Sequence, residues 1–241
     1  MGTVDWMAAG SPESAPAEGL RERKKRLMRQ QLSDTATRMF LERGFDAVRV
    51  AEVAEACGVS EKTVFNYFPT KESLILDRFE TTISGLRAGL AEPGIAPIEA
   101  ALQTLEAELE AMISWLAGQQ DTAQAVAEVA RFVDLIESTP SLRAYQHEMA
   151  DQLVGMAAEA LAARAGLDAD DPEPQIAATA LIGLWRVQSR VLRKHLDAAL
   201  ALAQLQETVT AEVRRAARLI DVGLRSFART AAEAPPATPG R

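Results

Sequence analysis

The sequence has 241 residues, of which 48% are hydrophobic and 25% charged, and its formal net charge at pH 7 is −8. Its single cysteine, Cys57, excludes an intrachain disulfide, and no run of about 18 apolar residues is present that would cross a membrane. Residues 1–19 lack the basic-then-apolar layout of a signal peptide. These features predict a soluble, cytoplasmic protein whose length suits a small domain plus a larger one.

Charge is divided unevenly along the chain. Residues 20–71 contain 11 Lys or Arg residues and 7 Asp or Glu residues, a net charge of +4, which leaves −12 for the remainder. A basic segment in an acidic protein indicates that one end meets nucleic acid. Its first basic residues form either an arm along the DNA backbone or minor groove, or a solvated helix start: Arg21, Arg23, Lys24, Lys25, Arg26 and Arg29.

The positions of Gly and Pro, together with helical periodicity, predict an all-α fold. The expected helices, in chain order, cover residues 20–43, 50–57, 60–68, 70–90, 97–117, 121–137 and 139–165, followed by two helices from about 174 onward that separate at 196–204. Pro- and Gly-rich residues 1–19 and 231–241 are expected to be disordered tails. The predicted domains are a three-helix domain over 20–70 and a larger helical domain over 71–230.

Residues 50–68 have the spacing of two short helices that cross at a steep angle. The apolar positions that must meet are Val53, Cys57, Val59 and Val64. Gly58 lies at the turn, where the backbone needs a conformation that is costly for a residue with a Cβ. Ser60 supplies an oxygen that caps the second helix. The segment is therefore predicted to be a helix-turn-helix.

The second helix of this motif is predicted to present polar side chains to a DNA duplex. A period near 3.6 turns Val64 and Phe68 inward. The outward positions are then Lys62, Thr63 and Asn66. In the major groove Asn suits adenine and Lys suits guanine, whereas Thr contacts a base or a phosphate.

Lys71 is predicted to lie at the start of the next helix, where the helix macrodipole disfavours a cation. A DNA phosphate would remove this conflict, held by the free N–H groups of the helix, by Lys71 and by the Tyr67 hydroxyl. The alternative is that Lys71 is a solvated surface lysine and Tyr67 a core aromatic residue.

Taken together, residues 27–76 resemble the N-terminal DNA-binding domain of TetR-family regulators. The resemblance is carried by Leu32, Ala36, Met39, Phe40, Gly44, Phe45, Val50, Val53, Ala54, Cys57, Gly58, Val59, Ser60, Thr63, Val64, Phe65 and residues 67–74. It implies a homodimeric, ligand-responsive transcription factor, usually a repressor, that binds double-stranded operator DNA. By this resemblance, residues 20–70 are a helix-turn-helix DNA-binding domain and residues 71–230 an effector-binding and dimerisation domain.

One position departs from the family pattern. Similar proteins place Thr before the Val that opens the first helix of the motif, whereas this chain has Arg49. An arginine side chain cannot cap a helix N-terminus, because it has no acceptor, so Arg49 either reaches a phosphate or is simply tolerated. The complete set predicted to contact DNA is Arg49, Ser60, Lys62, Thr63, Phe65, Asn66, Tyr67 and Lys71.

The last two helices carry stripes of small and apolar residues that let helices approach closely. In similar proteins this helix pair forms a four-helix bundle with its twin in a homodimer. The alternative is an intramolecular core. The predicted dimerisation residues are Ile176, Ala180, Gly183, Leu184, Val187, Val213, Ala217, Ile220 and Leu224.

The helices over residues 97–165 are expected to enclose a pocket for a small, mainly apolar effector. The candidate lining residues, most of which also fit ordinary core positions, are Met112, Trp115, Leu116, Phe132, Leu135, Tyr145, His147, Met149 and Trp185. No cofactor or metal is expected, because His147 and His195 are far apart in the chain and lack Cys neighbours.

The predicted function is therefore that of a transcriptional regulator, most simply a ligand-responsive repressor that binds a palindromic operator. An enzyme is not expected, because the sequence has no Gly-x-Ser-x-Gly elbow, phosphate-binding loop or His-Glu-x-x-His pair. Two alternatives stay open at this point. The chain could be a helical interaction module that retains the helix-turn-helix without binding an operator, or it could be an activator.

Overall fold

The computed structural model describes residues 19–76, 80–196 and 201–224. In these ranges the chain is helical, with turns and loops between the helices and no strand. The helices of the described residues are α1 (Leu20–Arg43), α2 (Val50–Ala56), α3 (Glu61–Tyr67), α4 (Ser73–Leu76), α5 (Glu80–Ala91), α6 (Pro97–Ala117), α7 (Thr122–Ser138), α8 (Pro140–Ala165), α9 (Pro172–Leu196) and α10 (Leu202–Leu224). The all-α prediction is confirmed, and the two predicted tails, apart from Gly19, lie outside the described residues.

The starts and ends of most helices follow the local signals in the sequence. The side chain of Asp121 caps α7 by accepting a hydrogen bond from the Gln124 N–H at 2.9 Å. Gly44 follows α1 with a φ of +86°, a conformation that an L side chain rarely adopts. Between α9 and α10, the predicted break at 196–204 agrees with the ends of the two helices, and residues 197–200 lie outside the described residues.

The helix expected to begin at residue 70 begins later in the structure. Thr70, Lys71 and Glu72 precede the helix, and α4 begins only at Ser73. The reason is a local side-chain cap: the Ser73 N–H donates to Thr70 Oγ1 at 3.1 Å, and the Thr70 N–H donates to Ser73 Oγ at 3.2 Å. Residues 77–79, between α4 and α5, lie outside the described residues.

The described chain forms two compact units that are interleaved in sequence. Within the described residues, the first comprises residues 19–76, 80–81, 108–148, 193–196 and 201–206, and the second comprises residues 82–107, 149–192 and 207–224. These units group residues that are close together in space. The expected boundary between residues 70 and 71 instead separates two functions, and it stays a prediction.

In the first unit, α1 is the central helix of the helix-turn-helix region, with α2 and α4 packed against it and α3 packed against α2. The core is formed by fully buried Leu32, Ala36, Phe40, Val48, Val53, Val64, Phe68 and Leu74. Cys57 and Val59, which were predicted to join this core, are only half-buried. A buried hydrogen bond from Ser33 Oγ to the Leu74 carbonyl, at 2.8 Å, fixes α4 against α1.

In the second unit, charged and polar side chains link the helices around an apolar core. Arg164, in the last turn of α8, donates to the carbonyls of Leu90 at 3.0 Å and Ile95 at 2.7 Å, and so holds the turn between α5 and α6. Arg214 of α10 forms a two-pronged ion pair with Glu106 of α6, at 2.6 and 2.9 Å. The core includes buried Leu86, Leu105, Leu161, Leu181, Val209 and Val213.

The backbone conformation of Gly58 in the turn leads to a testable prediction about stability. Its φ is +68° and no other group lies within 4 Å of the position that an added methyl would take, so Gly58→Ala should suffer backbone strain but no clash. We expect Gly58→Ala to lower the free energy of unfolding by about 1 to 2 kcal/mol. Gly155 is the matched control, because it is exposed inside α8 with equally open space. Gly155→Ala should instead raise stability by about 0.5 to 1 kcal/mol. Urea denaturation measures both, and equal effects would contradict the strain argument.

Candidate nucleic-acid interface

Helix α3 turns one face inward and leaves the other open, as its period predicts. Val64 and Phe68 are each 1% exposed. Lys62 and Asn66 are exposed, and the ring of Phe65 is 44% exposed, which is unusual for a large apolar side chain. The predicted inward positions of Val64 and Phe68 and the predicted outward positions of Lys62 and Asn66 are confirmed. The helix therefore presents an ammonium, an amide and a phenyl ring on one open surface.

The start of α3 is fixed by the predicted cap. Ser60 Oγ accepts a hydrogen bond from the Thr63 N–H at 3.1 Å, and its hydroxyl also pairs with Thr63 Oγ1 at 2.8 Å. The cap was predicted for Ser60, but the second contact to Thr63 was not. Thr63 is half-buried, so it is less open to a partner than Lys62 or Asn66.

The end of α3 is held by Arg29 of α1, a residue that the sequence identified only as one of several cations. Its guanidinium donates from Nη1 to the Tyr67 carbonyl at 2.8 Å. The same guanidinium lies 4.7 Å from the centre of the Phe68 ring. A cation near the C-terminal end of a helix also complements the macrodipole. Arg29 thus fixes the orientation of α3 relative to α1.

Arg49 precedes α2 and takes part in a small charge network. Its backbone N–H donates to a Glu52 carboxylate oxygen at 2.8 Å, which is one half of a capping box. The other Glu52 oxygen accepts from Arg43 at 2.8 Å, and Arg49 Nε lies 3.6 Å from Glu52. These contacts, with the hydrogen bond from Arg49 as the largest cause, lower the pKa of Glu52. The Arg49 side chain is 82% exposed, so it stays available to a phosphate.

Lys71 has a partner within the chain, and its predicted contact with a phosphate stays a prediction. Its Nζ donates to the Phe45 carbonyl at 2.7 Å and lies 4.3 Å from the centre of the Phe45 ring. The Phe40 ring is 5.7 Å away. The Lys71 carbonyl accepts from the Leu74 N–H at 3.2 Å, so Lys71 lies at the N-terminal end of α4, where its ammonium is held by the Phe45 carbonyl and ring. We interpret Lys71 as a residue that braces the loop between α1 and α2.

This interpretation predicts that Lys71→Met acts on folding. The variant leaves the part-buried Phe45 carbonyl without its charged donor, so the free energy of unfolding should fall by about 1 to 2 kcal/mol. The slope of log affinity for DNA against log salt concentration should keep its wild-type value. A slope smaller by about 0.9 per protomer would show instead that the ammonium neutralises a phosphate. Denaturation and fluorescence polarisation measure the two quantities.

A cleft of about 860 Å³ lies between the start of α1 and the open side of α3. We name it the α1–α3 cleft, and its lining residues are Leu20, Arg21, Lys24, Lys25, Met28, Thr63, Asn66 and Tyr67. It brings together three of the residues that were predicted to contact DNA with three cations of the predicted basic arm. Thus the arm and α3 form one continuous surface.

Comparison with known proteins identifies this architecture. The family model described as bacterial regulatory proteins, tetR family, matches residues 32–77, and the model of the MftR C-terminal domain matches residues 102–217. The transcriptional regulator TcmR of Streptomyces glaucescens is 32% identical over 185 residues, which cover 75% of this chain and 80% of TcmR. The chain belongs to the TetR family of transcriptional regulators.

Two further similarities accompany this TetR-family assignment. The transcriptional repressor KstR2 of Rhodococcus jostii is 30% identical over 121 residues, which cover 48% of this chain and 59% of KstR2. A solved TetR-family regulator from Streptomyces coelicolor is 19% identical, with a TM-score of 0.48 over 88% of this chain and 99% of that one. Family membership confirms that the protein is a DNA-binding regulator and not an enzyme.

The candidate effector residues of this TetR-family regulator differ in burial. Met112, Leu116 and Phe132 are buried in the first unit, whereas His147 is exposed there. The remaining candidates are half-buried: Trp115, Leu135 and Tyr145 in the first unit, and Met149 and Trp185 in the second. Within the described ranges, no group of three or more His, Cys, Asp or Glu side chains could hold a metal ion. Likewise, no helix of those ranges has the length and apolarity to cross a membrane.

The candidate dimerisation residues of the regulator divide into two groups. Leu184, Val213 and Ala217 are 2 to 3% exposed, so the chain buries them itself and they belong to the core of the second unit. These three residues therefore do not belong to the exposed surface that was predicted for dimerisation. The members that retain access to solvent are Ile176, Ala180, Gly183, Val187 and Ile220. The side chain of Leu224 lies outside the described residues. Leu219, which the sequence did not single out, is 85% exposed.

Proposed function

We propose that this TetR-family regulator is a ligand-responsive repressor that binds a palindromic operator as a homodimer. The observation that carries the proposal is the α1–α3 cleft, where α3 side chains suited to base edges adjoin exposed cations. In this proposal α3 enters the major groove, and Lys62, Phe65 and Asn66 meet base edges. The DNA backbone is contacted by Arg49, Ser60, Thr63 and Tyr67. Lys71 acts by bracing the loop between α1 and α2.

The proposal includes a dimer on energetic grounds. A single α3 reaches only a few base pairs, and two-fold symmetric regulators gain affinity by reading two half-sites about one helical turn apart. The second unit offers exposed apolar side chains for such an interface, above all Ile176 and Leu219 at 69% and 85% exposure. We therefore place residues 20–70 in the DNA-binding role and 71–230 in the effector-binding and dimerisation role.

The proposal also specifies the chemical class of the effector and whether the regulator represses or activates transcription. The relative KstR2 is named as a repressor, which favours repression over activation. Buried Met112, Leu116 and Phe132 favour a mainly apolar effector near α6 and α7. If an effector weakens operator binding by a coupling of about 1 to 3 kcal/mol, operator DNA must weaken effector binding by the same factor. An effector with equal affinity for both states would shift nothing.

The test is fluorescence polarisation of the full chain with labelled DNA that flanks its own gene, against shuffled DNA of the same length. We expect specific binding that is stronger than binding to the shuffled duplex by at least about 10³-fold. Selection from random duplexes should then yield a near-palindrome. Equal affinity for both duplexes would support the interaction-module alternative, and an asymmetric selected motif would contradict the symmetric dimer.

A further inference from the structure

The first turns of α1 carry an arrangement of charge that folding alone does not explain. Arg21, Lys24, Lys25 and Met28 follow the spacing i, i+3, i+4 and i+7, which places them on one face of a helix. That face lines the α1–α3 cleft. Three cations on one face repel one another, and they lie near a helix N-terminus, where positive charge is disfavoured. Their placement therefore costs folding stability.

None of these cations is in an ion pair within the part of the chain that the structure describes, although Glu22 lies in the same turn. Neither Arg21 nor Lys24 nor Lys25 forms an ion pair with another described residue. Other arginines of the chain do have partners, such as Arg43 with Glu52 and Arg214 with Glu106. The three side chains are exposed, and so they are available to a ligand that brings negative charge.

We infer that the α1–α3 cleft takes the sugar-phosphate backbone of the DNA strand that borders the major groove read by α3. This inference rests on the proposed function. The strand is the polyanion that must pass this point, because the opposite wall of the cleft is formed by Thr63, Asn66 and Tyr67. The strand is thereby gripped between α1 and α3, and α1 is a second DNA-contacting element.

Helix geometry sets how many phosphates α1 reaches. Residues 21 and 25 are about 6 Å apart along the helix axis at 1.5 Å per residue. Neighbouring phosphates of one DNA strand are about 3.4 Å apart along the duplex axis and further apart along the winding strand itself, so a span of about 6 Å reaches about two neighbouring phosphates. Contacts of this kind add affinity and fix register, but they carry no base sequence information. The inference therefore predicts a loss of affinity without a loss of specificity.

The test compares two full-length double variants that remove the same number of positive charges. Lys24→Gln/Lys25→Gln removes cations from the cleft, whereas Arg38→Gln/Arg143→Gln removes exposed cations that neither line the cleft nor belong to the basic arm. For the first variant, the slope of log affinity against log salt should shrink by about 1.8 per protomer, at 0.9 per phosphate. The control should keep nearly the wild-type slope. The ratio of specific to shuffled DNA affinity should stay unchanged for both.

Phosphate ethylation interference on the selected operator gives a second readout. We expect about two phosphates per half-site whose ethylation weakens the wild type and the control variant, but not Lys24→Gln/Lys25→Gln. Equal slopes for the two variants, or an unchanged set of interfering phosphates, would overturn the inference. If the wild type itself shows no preference for specific DNA, the proposed function fails first. If it shows that preference and the cleft variant retains the full slope, only the inference about α1 fails.

Discussion

Asn66→Ala is expected to weaken binding to a symmetric operator by about 2 to 6 kcal/mol, or about 1 to 3 kcal/mol for each of two half-sites. The physical reason is that Asn66 is exposed on the open side of α3 and offers the donor and acceptor pair that matches an adenine edge. Removal of the amide leaves one base pair per half-site without its partner. Titration of the variant with the selected operator by fluorescence polarisation measures the loss.

A matched set of operators separates base reading from general weakening. The wild type should lose affinity when one A·T pair per half-site is replaced by G·C, whereas Asn66→Ala should be indifferent to that replacement. Lys62→Ala should show the same behaviour at a G·C pair, because a lysine ammonium suits guanine. An equal loss of affinity for all sequences would indicate that Asn66 contacts the DNA backbone. Base reading would then belong to the other exposed residues of α3.

These expectations depend on α3 being held in one orientation, and three contacts provide this. Ser60 caps its start, Arg29 binds the Tyr67 carbonyl at its end, and Val64 packs in the core beneath it. A short helix of seven residues would not be stable alone in water, since isolated helices below about 12 residues are marginal. The surrounding contacts, and not helix propensity, therefore position the base-reading side chains.

Features that depend on local chemistry could be predicted from the sequence. Gly58 at positive φ, the Ser60 cap and the inward position of Val64 each follow from neighbours within a few residues. The orientation of α3, and hence the openness of Lys62 and Asn66, follows from them. For the same reason the family resemblance, which lies in this segment, was sufficient to predict the fold class.

Features that depend on distant parts of the chain could not be predicted. Lys71 binds a carbonyl 26 residues away, a partner that no local pattern indicates. Similarly, the α1–α3 cleft joins residues at least 35 positions apart, so the sequence left the basic arm with two interpretations. A stripe of small residues shows that a helix has a partner but not which chain supplies it. Leu184 and Val213 are covered by their own chain, and the stripe gave no means of knowing this.

The double variant Ile176→Glu/Leu219→Glu is expected to abolish dimerisation. Both side chains are large, apolar and highly exposed in the second unit, so a glutamate should not disturb the fold of one chain. At a dimer interface, however, each glutamate would be buried without a partner, which is costly. Leu167→Glu is the matched control, because Leu167 is 42% exposed in the loop before α9 and is not one of the predicted dimerisation residues. Sedimentation velocity measures the oligomeric state.

The consequence for DNA binding follows from tethering. In a dimer, binding of the first half-site makes binding of the second an intramolecular event, and linkage of this kind raises affinity by about 10² to 10⁴-fold. The monomeric variant should therefore lose about that factor on the palindrome while it keeps wild-type affinity for an isolated half-site. The α1 and α3 contacts within each protomer are unaltered, so its salt slope per protomer should not change. If the variant stays dimeric and binds the palindrome as tightly as Leu167→Glu does, the interface lies elsewhere on the chain.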